Sequence, residues 1–424
     1  MRVKLIAPAS CRRRVAPFWL PPLNLAVVAA WTPDHFEIEI VDENVEDIDF
    51  DDVPDVAGIT AATALAPRAY AIGDELRRRG ARVVIGGVHA SARPHEALAH
   101  ADAVVVGPAE AAWPDALAGV LAGKPGHAWG GDFRAAHPFR PPRRDLYRRG
   151  AYLSTGTVRA GRGCPNRCRF CSVAGAYRGW HRPYPVPAVL ADIDSLGGEY
   201  VFIVDDNLLA GRACARDLLD GLKDRHVRWW GQASLDTLGD PRTLSALAAA
   251  GCFLLIVGLE SVSAAAIARL GKAVNRVERY AGIIGAARDH GIMINPSFVF
   301  GLDGDGPQAF AATLDFLDRV RAPLATFNIQ APYPGTALFD ELSAAGRILD
   351  DDWAKYDGGH VVFRPQDMTP AELQDGYDRA VAQFYSPSRI RQRTAALPPG
   401  LGGLMYRWNA GYRLMLDAFG VILG

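Results

Sequence analysis

Short apolar runs rich in β-branched residues alternate with helical patterns twice along this chain, and that alternation constrains the fold more than any other feature. In the first series, residues 3–8, 36–41, 56–60, 83–85 and 103–106 are predicted strands, with helices over 23–30, near 66–79 and near 94–99. Strands that are apolar on both faces and separated by helices imply a parallel, doubly wound sheet, a Rossmann-like α/β fold. Ligands of such sheets bind outside the carboxyl ends of the strands. This chain carries Asp42-Glu43-Asn44, Gly58-Ile59-Thr60, Gly86-Gly87-Val88-His89 and Gly107-Pro108 there. Glycines let a backbone approach a ligand, but they also make ordinary turns, and alone these strings favour turns.

Residues 123–144 are rich in Gly, Pro, His and Arg and read as an extended linker at a domain boundary. A second alternating series follows, with strands predicted at 154–158, 200–204, 229–232, 253–257, 293–300 and 326–330. Strand–helix repeats of this kind fit a partial (β/α)6 barrel, whose site residues lie at the strands' carboxyl ends. After residue 349 the alternation stops, and 353–355, 369–384 and 401–423 are helical or irregular. The last segment has apolar residues at helical spacing (Leu404, Trp408, Leu414, Leu416, Phe419), a pattern for packing or an oligomer contact. The expected division is 1–140, 150–345 and a helical 346–424.

The 424 residues exceed one ordinary core. A net charge of -1 leaves no bulk positive field for nucleic acid. No apolar run reaches the ~18 residues a membrane span needs. Arg12-Arg13-Arg14 follows an apolar start, the reverse of a signal peptide, so the cytoplasm is expected.

Three of the 6 cysteines, Cys164, Cys168 and Cys171, form a C-x3-C-x2-C spacing in Gly161-Arg-Gly-Cys-Pro-Asn-Arg-Cys-Arg-Phe-Cys, directly after a predicted strand. Three thiolates on one loop clasp three irons of a cubane and leave the fourth iron open to a small molecule. Structural zinc wants four closed ligands, and the fourth would have to come from Cys11, Cys214, Cys252 or a histidine such as His181. The cluster outweighs zinc, and both outweigh three buried structural thiols. Cys214 and Cys252, on apolar stretches, read as ordinary buried thiols. Cys11 follows the first strand and is left without a role.

With Phe170 supplying an aromatic before the last cysteine, this string resembles the defining motif of the radical S-adenosylmethionine (SAM) superfamily. The resemblance implies a 4Fe-4S cluster on Cys164, Cys168 and Cys171 whose free iron chelates SAM, and reductive cleavage of SAM to a 5′-deoxyadenosyl radical. It further places Asp205, Asp206 and Asn207 where the SAM amino group is bound, and Glu260 on the nucleoside side. Each has a plainer reading, Asn207 as a helix cap and Glu260 as a turn or salt bridge. Gln232 and Ser234, at the third strand end, are placed to hydrogen-bond ribose or carboxylate; Lys272 reads more simply as a solvated cation. Tyr333, in Ala331-Pro-Tyr-Pro-Gly-Thr, is placed over the barrel mouth, where substrate contact and loop packing weigh equally.

The N-terminal strings GITAATALAPRAYAIGDELRRRGARVVIGGVHASARPHEAL and VVVGPAE are similar to the cobalamin-binding domain that precedes the barrel in many radical SAM proteins, as are GQASLD, GLES and YDGGHVVFRP further on. No D-x-H-x-x-G string is present, so no histidine is arranged to ligate cobalt; His89 is the nearest candidate and a poor one. The resemblance implies cobalamin between the domains and methylation of an unactivated carbon of a small molecule. Electrons would come from a donor such as flavodoxin or ferredoxin. Alternatives are cobalamin-independent radical chemistry, including 3-amino-3-carboxypropyl transfer, and a zinc-stabilised binding protein.

Overall fold

The computed structural model describes residues 1–9, 20–124, 126–132, 134, 137–152, 154 and 156–418; Cys11 and Phe419 lie outside them. The first half alternates as β1 (Arg2–Ala7), α1 (Leu23–Trp31), β2 (Glu37–Asp42), β3 (Val56–Thr60), α2 (Ala66–Arg78), β4 (Arg82–Gly86), α3 (Val88–Ala92), α4 (Pro94–Ala99), β5 (Ala103–Val106), α5 (Ala109–Leu121) and β6 (His127–Gly130). The strands form one parallel sheet in the order β2-β1-β3-β4-β5-β6. Its period-two pattern sorts the core onto two faces. Leu5, Val84 and Val105 pack with Leu25 of α1 and Trp113 of α5, while Ile6, Val83, Ile85 and Val104 pack with Ile72 and Leu76 of α2.

The linker expected from residue 123 onward is corrected by β6, which pairs with β5 from Ala103↔His127 to Val106↔Gly130. Its four residues carry no β-branched side chain and are largely exposed, so no hydrophobic alternation marks them as a strand. Beyond it the chain is tied down rather than free, with Arg144 bridging Asp192 at 2.7 Å.

The second half holds β7 (Thr157–Val158), β8 (Gly161–Gly163), α6 (Ser172–Tyr177), β9 (His181–Pro183), α7 (Val186–Asp194), β10 (Tyr200–Ile203), α8 (Arg212–Leu222), β11 (Arg228–Ala233), α9 (Pro241–Ala249), β12 (Cys252–Glu260), α10 (Ala264–Leu270), α11 (Tyr280–Asp289), β13 (Met293–Phe300), α12 (Gln308–Arg319), β14 (Thr326–Ile329) and α13 (Ala337–Ala344). Six of these strands form a parallel sheet in chain order, β7-β10-β11-β12-β13-β14, and β8 and β9 form a separate antiparallel ribbon. One face of the large sheet packs on the helices through Val201, Trp229, Leu255 and Phe298. The other face is apolar near the strand starts, where Phe202 stacks on Trp230 at 5.1 Å, and polar near the strand ends at Gln232 and Ser297. That gradient gives a partial barrel a dry base and a wet mouth.

The C-terminal segment supplies α14 (Pro370–Phe384), α15 (Pro387–Ala395) and α16 (Pro399–Ala418). Thr369 and Glu372 form a reciprocal capping box at the start of α14, with Pro370 in the first turn. α16 lays Leu401, Leu404, Met405 and Trp408 against Trp230, Phe253 and Met293, covering the barrel's base. Leu404, Trp408 and Leu416 therefore pack within the chain, whereas Leu414 of the same pattern is exposed. Among the described residues no helix is long and apolar enough to cross a membrane.

Candidate active site

The cysteine loop is shaped by what flanks it. Gly163 ends β8 at φ +74°, and a Cβ there would lie 2.3 Å from the Trp180 carbonyl and 3.0 Å from the Tyr177 ring, so only glycine fits. Cys171 is the N-cap of α6. Phe170 packs with Val299 against Ala266, Leu270 and Leu302. The Arg169 carbonyl accepts from Leu338 N–H at 3.1 Å, and the Arg169 side chain pairs with Glu341, fastening the loop to α13.

Cys164, Cys168 and Cys171 line one cavity of about 490 Å³ at the barrel mouth. Burial pushes the Cys168 thiol up to about 11, against the pull of Lys272. It raises Cys171 too, opposed by the backbone N–H groups at the start of α6. Iron displaces these protons on binding. No group of three or more His, Cys, Asp and Glu converges on a single ion among the described residues; a cubane asks for none, since each thiolate takes a separate iron. Three thiols on one wall therefore fit the cluster.

Asp206, Asn207, Gln232, Ser234, Glu260, Lys272 and Tyr333 share that cavity. Asn207 Nδ2 lies 3.7 Å from Cys164 Sγ and donates to Ser234 Oγ at 2.6 Å, joining two strand ends to the cysteine loop. Glu260 sits at a β-bulge where Gly258 pairs with Ser297 and Glu260 with Phe298. Its φ of +66° is rare for a residue with a side chain. That turn aims its carboxylate at Lys272 Nζ, 2.5 Å away, which also donates to the Gly258 carbonyl at 2.8 Å. Lys272 is thus a buried partner and not the solvated cation its sequence context suggests. Tyr333 is held in the wall by its loop, with Thr336 Oγ1 donating to its carbonyl at 2.6 Å.

Asp205 is the exception among these strand-end residues. It is buried away from the cavity and accepts from Ala160 N–H at 2.6 Å, pinning the strand that leads into the cysteine loop. Cys252 is buried in the barrel core and its thiol is raised by burial; Cys214 lines a small separate cavity with His181.

A second cavity, of about 200 Å³, opens at the carboxyl edge of the first sheet, where the strand order reverses between β1 and β3. Leu25, Val28, Val84 and Val105 make its walls. At its floor a Cβ on Gly58 would lie 2.8 Å from both the Trp113 ring and Leu5. Its mouth is charged and comes from both halves of the chain, with Glu110 from α5 facing Arg159, Arg162 and Tyr177. An apolar slot of this size with a polar rim at a switch point suits one apolar arm of a larger ligand whose polar parts stay outside it. His89 does not line it and is buried against Glu96 at 3.3 Å and Trp353 at 5.1 Å between ring centres.

Comparison with known proteins bears on both cavities. Residues 158–317 match the radical SAM superfamily and residues 10–117 the B12 binding domain, while 336–403 match a domain of unknown function. The bacteriochlorophyllide d C-8(2)-methyltransferase of Chlorobaculum tepidum is 32% identical over 406 residues, covering 90% of this chain and 89% of that protein. This chain belongs to the radical SAM superfamily. The C-12(1)-methyltransferase of the same organism is 29% identical over 391 residues, covering 89% of this chain and 85% of that protein. The fold of this radical SAM protein is also that of the methyltransferase TsrM from Kitasatospora setae, solved with cobalamin and a 4Fe-4S cluster bound, at a TM-score of 0.71, 18% identity and 99% coverage of both chains.

This radical SAM protein is accordingly an enzyme of the methyl-transferring, cobalamin-dependent kind, with a 4Fe-4S cluster, SAM and cobalamin as cofactors. The cobalamin-independent and zinc-stabilised alternatives are not favoured. Sequence reasoning misses Ser297, Asn328 and Gln330 in the cluster cavity, although extending the period-two pattern to each strand end would find them. It also misses Glu110, Arg159, Arg162 and Tyr177. No local pattern marks these, because they meet only when the two halves dock.

Proposed function

We propose that this enzyme methylates an unactivated carbon of a small molecule, in secondary metabolism, at a site between its two cavities. The observation that supports this is their shared wall. Cys171 opens α6 in the cluster cavity, and Ala176 and Tyr177 close it in the second cavity, about 9 Å along the helix at 1.5 Å per residue. When bound, the cofactors supply reductive cleavage of SAM and a transferable methyl group.

The chain's own part is placement. Asp206 and Asn207 are proposed to receive the SAM amino group, the Glu260–Lys272 pair and Gln232 and Ser234 the remainder of SAM, and Phe170 to hold the loop around the cluster. Tyr333 and the apolar walls keep water from the reacting atoms, which protects a radical from quenching. The Chlorobaculum relatives act on bacteriochlorophyllide d; the acceptor here is proposed to be another small molecule or lipid with a saturated carbon. A donor such as flavodoxin or ferredoxin would deliver electrons in the cytoplasm.

Anaerobic turnover with SAM, hydroxocobalamin and a reductant, followed by mass spectrometry of the nucleosides, tests this reading. It expects 5′-deoxyadenosine and S-adenosylhomocysteine. Methylthioadenosine as the main product would overturn methyl transfer.

A further inference from the structure

The lining of the second cavity carries more positive than negative side chains, with Asp205 and Asp206 acting on Arg159 from behind it. Among the described residues lining that cavity the charged ones are Glu110, Arg159 and Arg162, one carboxylate against two guanidiniums. Glu110 Oε1 accepts from Arg159 Nη2 at 2.8 Å, and Glu110 Oε2 lies 3.2 Å from Arg162 Nη1. Arg159 also donates to Tyr184 at 2.9 Å, but its Nε is buried with no partner among the described residues. The Arg162 side chain is 6% exposed. Its guanidinium carbon also lies 5.4 Å from the centre of the Tyr184 ring. A guanidinium carries five N–H donors, and burying them without acceptors is costly. Two arginines sharing one lining carboxylate, one of them with a buried donor unpaired among the described residues, call for an anionic, oxygen-rich ligand.

We propose that Arg159 and Arg162, held by Glu110, form an anion site that takes the phosphodiester of cobalamin's nucleotide loop. This rests on the cobalamin reading above. The corrin rim carries neutral amides, so the phosphodiester is the cofactor's one peripheral anion. The apolar slot behind the arginines, floored by Gly58 and Trp113, runs inward from the same mouth. Because both arginines belong to the barrel half and the slot to the N-terminal half, the site also makes cofactor binding sense the docking of the two.

The test compares two probes on the anaerobically reconstituted full chain. Hydroxocobalamin has the nucleotide loop; dicyanocobinamide has the corrin and its amides without it. Affinity is read by visible absorption and by quenching of tryptophan fluorescence, independently of turnover. Arg162→Met is expected to weaken hydroxocobalamin roughly ten- to hundred-fold, the scale of a lost charge-assisted hydrogen bond, and to leave dicyanocobinamide within about two-fold. Arg162→Lys should recover part of the loss. Iron content and thermal midpoint are followed in each variant; if Arg162→Met loses its cluster, the same comparison is made with Arg162→Lys and Arg159→Lys. Equal weakening of both probes, or none of either, overturns the phosphodiester assignment while leaving cobalamin binding in place. Failure of the unmodified enzyme to bind either probe overturns the cobalamin reading and this inference with it.

Discussion

Gly163 shows how one residue can govern a cofactor loop. Its left-handed backbone and the Trp180 carbonyl 2.3 Å from any added Cβ make Gly163→Ala costly by more than about 1 kcal/mol, and the strain falls on Cys164. The variant should fold yet carry less iron per chain after reconstitution than the unmodified enzyme, as an iron assay would show. Asp205 acts on the same loop from beneath. Burial raises its carboxyl to about 7, so the folded state keeps a proton that the unfolded chain releases near about pH 3.9. Between those values the native state binds more protons. Stability from this group therefore falls as pH rises through the window and levels off above it. Asp205→Asn removes the penalty and can keep the Ala160 contact. Its gain in thermal midpoint should be larger near pH 7.5 than near pH 5; equal shifts at both would argue against a buried, protonated Asp205.

At the scale of elements, an open parallel sheet has a base as well as a mouth, and α16 is the base. Met405 is fully buried among Trp230, Phe253 and Met293. Deleting its side chain leaves a cavity under strands whose far ends carry Gln232, Ser234 and Glu260. Met405→Ala should cost about 2–5 kcal/mol, readable as a lower denaturation midpoint. Because the strand ends lie a full strand length away, the visible spectrum of the reconstituted cluster should change little in the folded variant.

The whole molecule is two α/β halves that meet through charged and aromatic contacts, some of them buried. Glu110 is 7% exposed between Arg159 and Arg162, and Trp353 from the C-terminal segment donates to Glu96 of α4 at 2.9 Å. Glu110→Ala leaves the buried Arg162 and the half-buried Arg159 without their shared carboxylate, a loss of up to about 3–5 kcal/mol for a broken buried pair. That cost lies in docking, not in either core. Calorimetry should therefore resolve two transitions where the unmodified chain gives one, or one whose calorimetric enthalpy exceeds its van't Hoff enthalpy.

Both parallel sheets, the partial barrel and the cysteine motif were legible from the chain alone, because hydrophobic period and ligand spacing are local properties of neighbouring residues. Cys164, Cys168, Phe170 and Cys171 stand within eight positions, and their geometry follows from one loop. β6 escaped that reading since its strand character comes from β5 beside it and not from its own side chains. Lys272, Glu110 and Arg162 escaped it for a related reason. Their roles are set by charges distant in sequence that desolvation brings into contact, at a bulge in one case and between two halves in the others. Only the tertiary structure decided where the charges are buried, and with that which of them answer one another and which are left for a ligand.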